Sequence, residues 1–315
     1  MRTIFIVNPK AGQGKNIDKL ISRIQEASSK TGIPAETYIT KAVKDAEVFA
    51  KAIGEETRET KEEVRLIACG GDGTLNEVLN GSIAYDNLSV GVVPIGTGND
   101  YCKNFPEAGD FMNMEAQLKG SIVKSDAIRY HGILEGKEQT RYCANMFNIG
   151  FDCNVVDLTA KMKTYPLISG SLAYFLSILT VLIKKKGAKL KIEIDGKVYE
   201  DGPVLLTSVC NGSYCGGGLK SAPYASVQDG IMDVNIIYNV SRFAFLKKLP
   251  AYTNGTYVDL PGIEKILLFK QGKKAVITPK EGTMRLCADG EIVDAERVDF
   301  EVVPEAFNML VPEVM

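Results

Sequence analysis

One histidine, His131, stands in 315 residues. Histidine-rich zinc sites are thereby excluded, and a Ser-His-Asp triad would have no other histidine to draw on. His131 sits beside Gly132 in what reads as a strand turn, so it is taken as structural and acid–base chemistry falls to carboxylates. The seven cysteines, at positions 69, 102, 143, 153, 210, 215 and 287, form no C-x-x-C pair. An odd, scattered set fits reduced, packed thiols in a cytoplasmic protein. Excess charge is absent too: a formal net charge of −2 gives no reason to expect a nucleic-acid partner. The first apolar run, residues 3–7, is too short for a secretory signal, and no segment reads as a membrane span. What remains is ordinary globular composition, 45% apolar and 24% charged, on a chain long enough for two domains.

The most informative stretch is Gly70-Gly71-Asp72-Gly73-Thr74-Leu75-Asn76-Glu77. An apolar run at 64–69 precedes it as a buried strand, and a helix carrying Leu75, Val78 and Leu79 follows. Strand, glycine turn and helix together make a phosphate site, because glycines admit close backbone approach and the helix start offers unpaired N–H donors. Thr74 and Glu77 also match a capping box, which needs no ligand. That reading leaves Asp72 unexplained. A carboxylate among phosphate-attracting donors repels the ligand unless a cation lies between them, so the stretch points to a metal–nucleotide site.

Two more units of this kind flank it. Residues 3–7 read as a strand running into Asn8-Pro9-Lys10-Ala11-Gly12-Gln13-Gly14-Lys15-Asn16, and Ile17, Leu20, Ile21, Ile24 and Ala27 then recur at helical spacing up to Gly32. The loop is not a Walker A loop, since Pro9 stands where a glycine is needed and Asn16 where Ser or Thr is. Taken alone it would also suit a surface βα turn. A strand at 35–39 ends at Thr40, a helix is expected over 42–53, and the charged run 54–63 reads as a solvated helix end and loop. A further strand at 88–93 opens into Pro94-Ile95-Gly96-Thr97-Gly98-Asn99-Asp100. This is a doubly wound α/β layout, in which ligands collect at the carboxyl ends of parallel strands, and Asp100 would share the cleft with Asp72.

Asn-Pro-Lys-Ala-Gly at 8–12, Gly-Gly-Asp-Gly-Thr-Leu-Asn-Glu at 70–77 and Pro-Ile-Gly-Thr-Gly-Asn-Asp at 94–100 resemble the three nucleotide motifs of the diacylglycerol kinase catalytic-domain family. That family includes bacterial lipid kinases, sphingosine kinases and ceramide kinases. Gly-Gly-Asp-Gly-Thr alone is shared with NAD kinases and phosphofructokinases, so the ordered trio carries the resemblance. Two positions depart from the pattern: Ala11 where serine is common, which removes a hydroxyl contact to phosphate, and Tyr101 where Phe or Leu is usual. The resemblance implies a first domain of NAD kinase/phosphofructokinase type that binds ATP with Mg²⁺. Its ATP contacts would come from Asn8, Pro9, Lys10, Ala11 and Gly12, from Thr40, from Gly71, Asp72, Gly73, Thr74, Leu75, Asn76 and Glu77, and from Thr97 and Asn99. Asp72 and Asp100 would hold or orient the metal, with Asp72 counted among the catalytic groups.

From residue 122 the pattern changes to short strands with turn signals. Strands are expected at 122–130, 133–135, 141–149, 189–194, 197–199, 204–211, 232–238, 266–269, 275–278, 284–288 and 297–303. Asp195-Gly196, Asp229-Gly230 and Asp289-Gly290 read as turns between them, and the expectation is a β-sandwich. Domain limits are set at 1–126 completed by 300–315, and 127–299. An almost wholly apolar run at 167–183 precedes Lys184-Lys185-Lys186 and suits a packed or interfacial helix. The segment from Asn211 through Gly216-Gly217-Gly218 to Asp233 resembles the family's second-domain signature, in which a structural Mg²⁺ would take Asp229 and the carbonyls of Ser226 and Ile231. On the residues alone Asp229-Gly230 is a hairpin turn. Asp289-Gly290-Glu291 is likewise a hairpin signal, to which the resemblance adds a general base, Glu291, with Asp289 as its rival. The activity implied is transfer of the γ-phosphoryl group of ATP to a primary hydroxyl of a lipid, foremost diacylglycerol to phosphatidic acid. An NAD kinase-like phosphotransferase and a non-catalytic nucleotide- or lipid-binding module are the alternatives. The same resemblance admits a homodimer and peripheral contact with the inner face of a membrane.

Overall fold

Apolar runs rich in β-branched residues build the first layer. In the computed structural model, β1 (Arg2–Val7), β2 (Glu36–Ile39), β3 (Val64–Gly70) and β4 (Leu88–Pro94) pair in parallel in the order β2-β1-β3-β4. The structure describes residues 1–14, 17–162, 176, 177, 180, 181 and 187–315. The chain forms two units, Met1–Asp126 with Glu305–Met315, and Ala127–Pro304.

In the first unit the strands are buried on both faces, which is why they read as continuous apolar runs. Phe5, Val7, Ile67, Cys69 and Val93 pack with Leu20, Ile24 and Ala27 of α1 (Ile17–Thr31) and with Leu118 of α4 (Met114–Lys119). Ile4, Ile6, Leu66 and Ala68 alternate to the other side and are equally buried. Two further helices, α2 (Asp45–Thr57) and α3 (Asp72–Ser82), pack closely: a Cβ at Gly81 would stand 2.3 Å from the Glu47 carbonyl oxygen. The C-terminal end of β15 (Glu291–Val311) lies parallel beside β4 through Asn308 and Met309. This is the doubly wound class that the sequence pattern predicts. Because β1 has β2 on one side and β3 on the other, the connections diverge between β1 and β3, the switch point at whose carboxyl ends doubly wound sheets take their ligands.

Two local expectations are corrected here. Helix α2 starts at Asp45 and continues through Gly54 to Thr57, with Ile53, Gly54 and Thr57 buried, so the stretch taken as a solvated end is partly core. The capping box does not form either. Gly71 occupies the N-cap of α3, which places Thr74 inside the first turn, and the Glu77 carboxylate accepts the N–H groups of Lys44 (2.9 Å) and Ala46 (3.3 Å) at the start of α2. Glu77 therefore caps a different helix. Glu77→Ala is expected to cost about 1 kcal/mol of stability, the usual loss on removing a cap, read as a lower urea midpoint with an unchanged m-value.

In the second unit β7 (Met146–Gly150), β10 (Leu206–Cys210), β11 (Met232–Ile237), β12 (Leu267–Gly272) and β14 (Met284–Ala288) form an antiparallel sheet in the order β12-β11-β10-β7-β14, continued by the first residues of β15. Farther along, β15 pairs with β13 (Lys274–Pro279), which leads to β8 (Ala188–Ile194) and β9 (Lys197–Val204). Strand β5 (Ser121–Leu134) pairs with β6 (Lys137–Cys143) and with β15. Phe147, Ile149, Val209, Val234, Ile236 and Leu286 alternate into one core with Tyr130, Ile192, Ile277 and Phe300. The Phe147 ring sits 4.9 Å from both Tyr130 and Phe300, at edge-to-face angles. The β-sandwich expectation is met.

Three hairpins turn on residue pairs with positive φ at both positions, Glu135-Gly136, Asp195-Gly196 and Asp289-Gly290, the signature of type I′ turns. Asp229-Gly230 is not one of them: no strand directly precedes it, and the Asp229 carboxylate accepts the Ile231 N–H at 3.1 Å in an Asx turn. His131 lies within β5 and not in a turn, with Nδ1 2.9 Å from the Thr140 hydroxyl across the ladder. The run 141–149 is broken at Ala144 and Asn145. Helices α5 (Phe151–Met162) and α6 (Arg242–Asn254) have no counterpart in the sequence-based expectation. The apolar run 167–183 and its lysines fall largely outside the described residues, among which no helix is long and apolar enough to cross a membrane.

Candidate active site

Three turns meet at the carboxyl ends of β1, β3 and β4. Asn8 N–H donates to the Cys69 carbonyl and Gly96 N–H to the Gly70 carbonyl, each at 3.0 Å, which ties the loops together. The contact requires glycine, since a Cβ at Gly96 would stand 2.3 Å from Gly71 Cα and 2.8 Å from Gly71 N. With Gly71 as N-cap, the first N–H groups of α3, from Asp72, Gly73 and Thr74, have no acceptor within the helix and lie at its positive end. Asn8 is held by both ends of its amide. Nδ2 donates to Thr74 Oγ1 at 3.0 Å, and Oδ1 accepts the Lys10 N–H at 2.9 Å. Thr40 is buried at the end of β2, its N–H on the Val7 carbonyl at 2.9 Å, whereas Thr97 is exposed at the tip of the third turn. Leu75 and Asn76 are buried in α3, where Asn80 Nδ2 donates to the Asn76 carbonyl and side chain.

The acids sit among these turns. Asp72 Oδ1 accepts the N–H groups of Asp100 (2.9 Å) and Tyr101 (3.3 Å), so the carboxylate also fixes the third loop. The other oxygens of the pair turn toward Gly98: a Cβ there would lie 2.9 Å from Asp72 Oδ2 and 3.4 Å from Asp100 Oδ2. Lys103, three residues on from Asp100 and not foreseen from the sequence, places Nζ 2.6 Å from Asp100 Oδ1 and 3.2 Å from the Gly98 carbonyl. The negative field is felt nearby, where burial first and the Asp72 charge second push the Cys102 thiol up to about 12. Asn99, at φ 54°, donates Nδ2 to the carbonyls of Pro94 and Gly96, and its Oδ1 is buried with no hydrogen-bond partner. Hard oxygens and an unpaired acceptor are the donor chemistry of a hydrated Mg²⁺. Among the described residues no three His, Cys, Asp or Glu side chains converge as a metal site, so such an ion must complete its shell with phosphate, carbonyl or water oxygens.

In the second unit Asp289 and Glu291 separate into different tasks. The Asp289 carboxylate accepts the N–H of Ala144 (3.2 Å) through Oδ2 and of Met146 (3.0 Å) through Oδ1, and its own N–H donates to the Met146 carbonyl. It clamps the break between β6 and β7. Glu291, the first residue after the turn, opposes Ala288 and is exposed. Asp289→Ala is expected to lower stability by ~2 kcal/mol, the scale for charge-assisted bonds to backbone donors, measured by chemical denaturation.

Comparison with known proteins follows the same division. The diacylglycerol kinase catalytic domain profile matches residues 2–130, and the YegS C-terminal NAD kinase beta sandwich-like domain profile matches residues 145–311. The chain belongs to the diacylglycerol kinase catalytic-domain family. Within this kinase family it is 26% identical over 294 residues to the diacylglycerol kinase of Bacillus subtilis (strain 168), covering 92% of this chain and 89% of that one. A crystal structure of a diacylglycerol kinase from Bacillus anthracis str. Sterne shares the fold with a TM-score of 0.69 at 20% identity, over 98% of this chain and 96% of that one. Yeast NADH kinase shares it more distantly, with a TM-score of 0.52 at 11% identity, over all of this chain and 84% of that one.

Two features of the second unit bear on the kinase-family reading. The signature segment brings Asp229 near Asp233, a buried carboxylate whose pKa is raised to about 6 by burial, with the Asp229 charge adding to the shift. Gln271 Nε2 donates to Asp233 Oδ1 at 2.9 Å, while Oδ2 is buried with no hydrogen-bond partner. Oxygen-rich and short of positive charge, this segment suits a cation held by Asp229 with the carbonyls of Ser226 and Ile231. Beside it lies a pocket that sequence reasoning missed. Phe151, Leu206, Ile237, Phe245, Leu249 and Tyr252 line it, and its lining is almost wholly apolar, with Lys248 as its one charged residue.

Proposed function

We propose that this chain is a lipid kinase that moves the γ-phosphoryl group of ATP onto a primary hydroxyl, with diacylglycerol as acceptor and phosphatidic acid as product. The observation that carries the reading is the meeting of three glycine turns on the Asp72–Asp100 pair at the sheet's switch point. Lipid kinases among the relatives and an apolar pocket in the second unit support a lipid acceptor over a dinucleotide.

Phosphoryl transfer depends on holding the γ-phosphoryl group in line with the attacking hydroxyl and neutralising its oxygens. Backbone N–H groups of the 8–12 loop and of Gly71 to Thr74, with the Thr97 hydroxyl, bind the phosphates. Asn8, bridging Thr74 and Lys10, keeps the first two loops in register. Asp72 and Asp100 would hold Mg²⁺, which would neutralise phosphate charge. Glu291 accepts the hydroxyl proton as the new O–P bond forms and the bond to the bridging oxygen of ADP breaks. Asp289 acts indirectly by fixing the turn that presents Glu291. The donor is a cytoplasmic nucleotide and the acceptor a membrane lipid, so this reading has the enzyme working at the inner face of the membrane.

Labelled ATP offered with diacylglycerol, phosphatidylglycerol, a sphingoid base and NAD in one panel tests this. Label in phosphatidic acid is expected. Label in NAD alone, or none in any lipid despite tight ATP binding, overturns it.

A further inference from the structure

We infer that α6 is a docking helix for an anionic lipid bilayer, inserting Phe243 and Leu246 at the headgroup level and setting its cations against lipid phosphates. Ser241 caps the helix, its hydroxyl accepting the Ala244 N–H at 3.1 Å, and a left-handed Gly255 ends it. Within it the exposed positions 242, 243, 246, 247 and 250 fall on one face. Phe243 is 78% exposed and Leu246 42%, so two large apolar side chains stand in water one turn apart. Arg242, Lys247 and Lys248 accompany them, and no Asp or Glu occurs anywhere from 234 to 258. An exposed aromatic and an aliphatic beside cations, with no acid on the helix, supply the apolar anchors and the sign of charge that an anionic lipid surface attracts.

The inner face of the same helix points to the same occupant. Phe245, Leu249 and Tyr252 line the apolar pocket, Phe245 lying 5.4 Å from the Phe151 ring, with Lys248 beside them. A single element thus presents apolar groups outward and an apolar recess inward. A docked bilayer would place lipid chains next to that recess. A protein partner is disfavoured, because two apolar side chains on one helix offer far less than the roughly 800 Å² per partner of a stable interface. Shallow insertion needs only a few anchors and a favourable charge. The purpose of docking rests on the lipid-kinase reading; its occurrence does not.

The test is co-sedimentation of the full chain with large vesicles of phosphatidylcholine, with and without about one-third phosphatidylglycerol. Wild type is expected to partition onto the anionic vesicles. Phe243→Ser with Leu246→Ser should weaken partitioning about tenfold or more, and Lys247→Glu about fivefold, with the Lys247 effect shrinking as salt rises. All variants should keep the wild-type Tm and full turnover on a detergent-dispersed short-chain diacylglycerol. Unchanged partitioning of the double variant, equal binding to vesicles without anionic lipid, or a shift in self-association with partitioning intact would each overturn the proposal. Docking without phosphate transfer to any lipid would leave the proposal standing and remove the kinase reading.

Discussion

Glu291→Ala is expected to lower turnover by ~10²–10⁴-fold, the range that a positioned general base contributes, while the Kd for ATP stays within about twofold of wild type. The choice of Glu291 over Asp289 follows from what each carboxylate already does. Both oxygens of Asp289 accept backbone N–H groups across the β6–β7 break, so protonating it would dismantle the turn. Glu291 stands one residue beyond a type I′ turn, on a strand position that is exposed and opposite Ala288. It is longer, and the ladder fixes its backbone at an exposed position. Steady-state kinetics with calorimetric ATP titration separate the two effects. A variant with wild-type kcat removes Glu291 from the chemistry, and one that loses ATP affinity in proportion to kcat makes it a nucleotide ligand instead. Glu291→Gln refines the result, because it keeps size and polarity but cannot take a proton.

The fold class and the glycine turns were legible in the sequence because both are local. Buried parallel strands need continuous apolar runs, as at Val64–Gly70 and Leu88–Pro94, and the turns after them need glycine wherever backbone meets backbone, as Gly96 meets Gly71. Partners distant in sequence were not legible. Glu77 caps a helix that begins 32 residues before it, and a capping-box motif cannot announce that the helix has already started at Asp72. The backbone groups clamped by Asp289 lie more than 140 residues away. Three X-Gly pairs turned hairpins because strands flank them, while Asp229-Gly230 carries the same dipeptide without a preceding strand and closes an Asx turn. Helix α6 escaped periodicity because Phe243 and Leu246 point outward, spoiling the two-faced pattern by which a buried helix is recognised. The feature that hid the helix is the one that gives it an interaction surface.

Asp72→Asn is expected to reduce kcat by at least ~100-fold and to move the Mg²⁺ titration to higher concentration, with the fold retained. The substitution separates two jobs that one carboxylate performs. Oδ1 accepts the N–H groups of Asp100 and Tyr101, and an asparagine carbonyl oxygen can accept them equally, so the third loop stays in place. Oδ2, on the Gly98 side with Asp100 Oδ2, becomes an NH₂ group that repels a cation. Asp72→Ala removes both functions and should also lower Tm, since the backbone donors of Asp100 and Tyr101 lose their acceptor. The contrast is informative because Lys103 already sits 2.6 Å from Asp100. With Asp72 neutralised, the local charge of Asp100 and Lys103 sums to zero, and the net negative charge that draws a divalent ion between the glycine turns is lost. Mn²⁺ binding with ATP present, followed by its paramagnetic signal, reads this without turnover. Equal Mn²⁺ affinity in wild type and Asp72→Asn would show that the metal is held elsewhere and would reduce Asp72 to a loop-fixing residue.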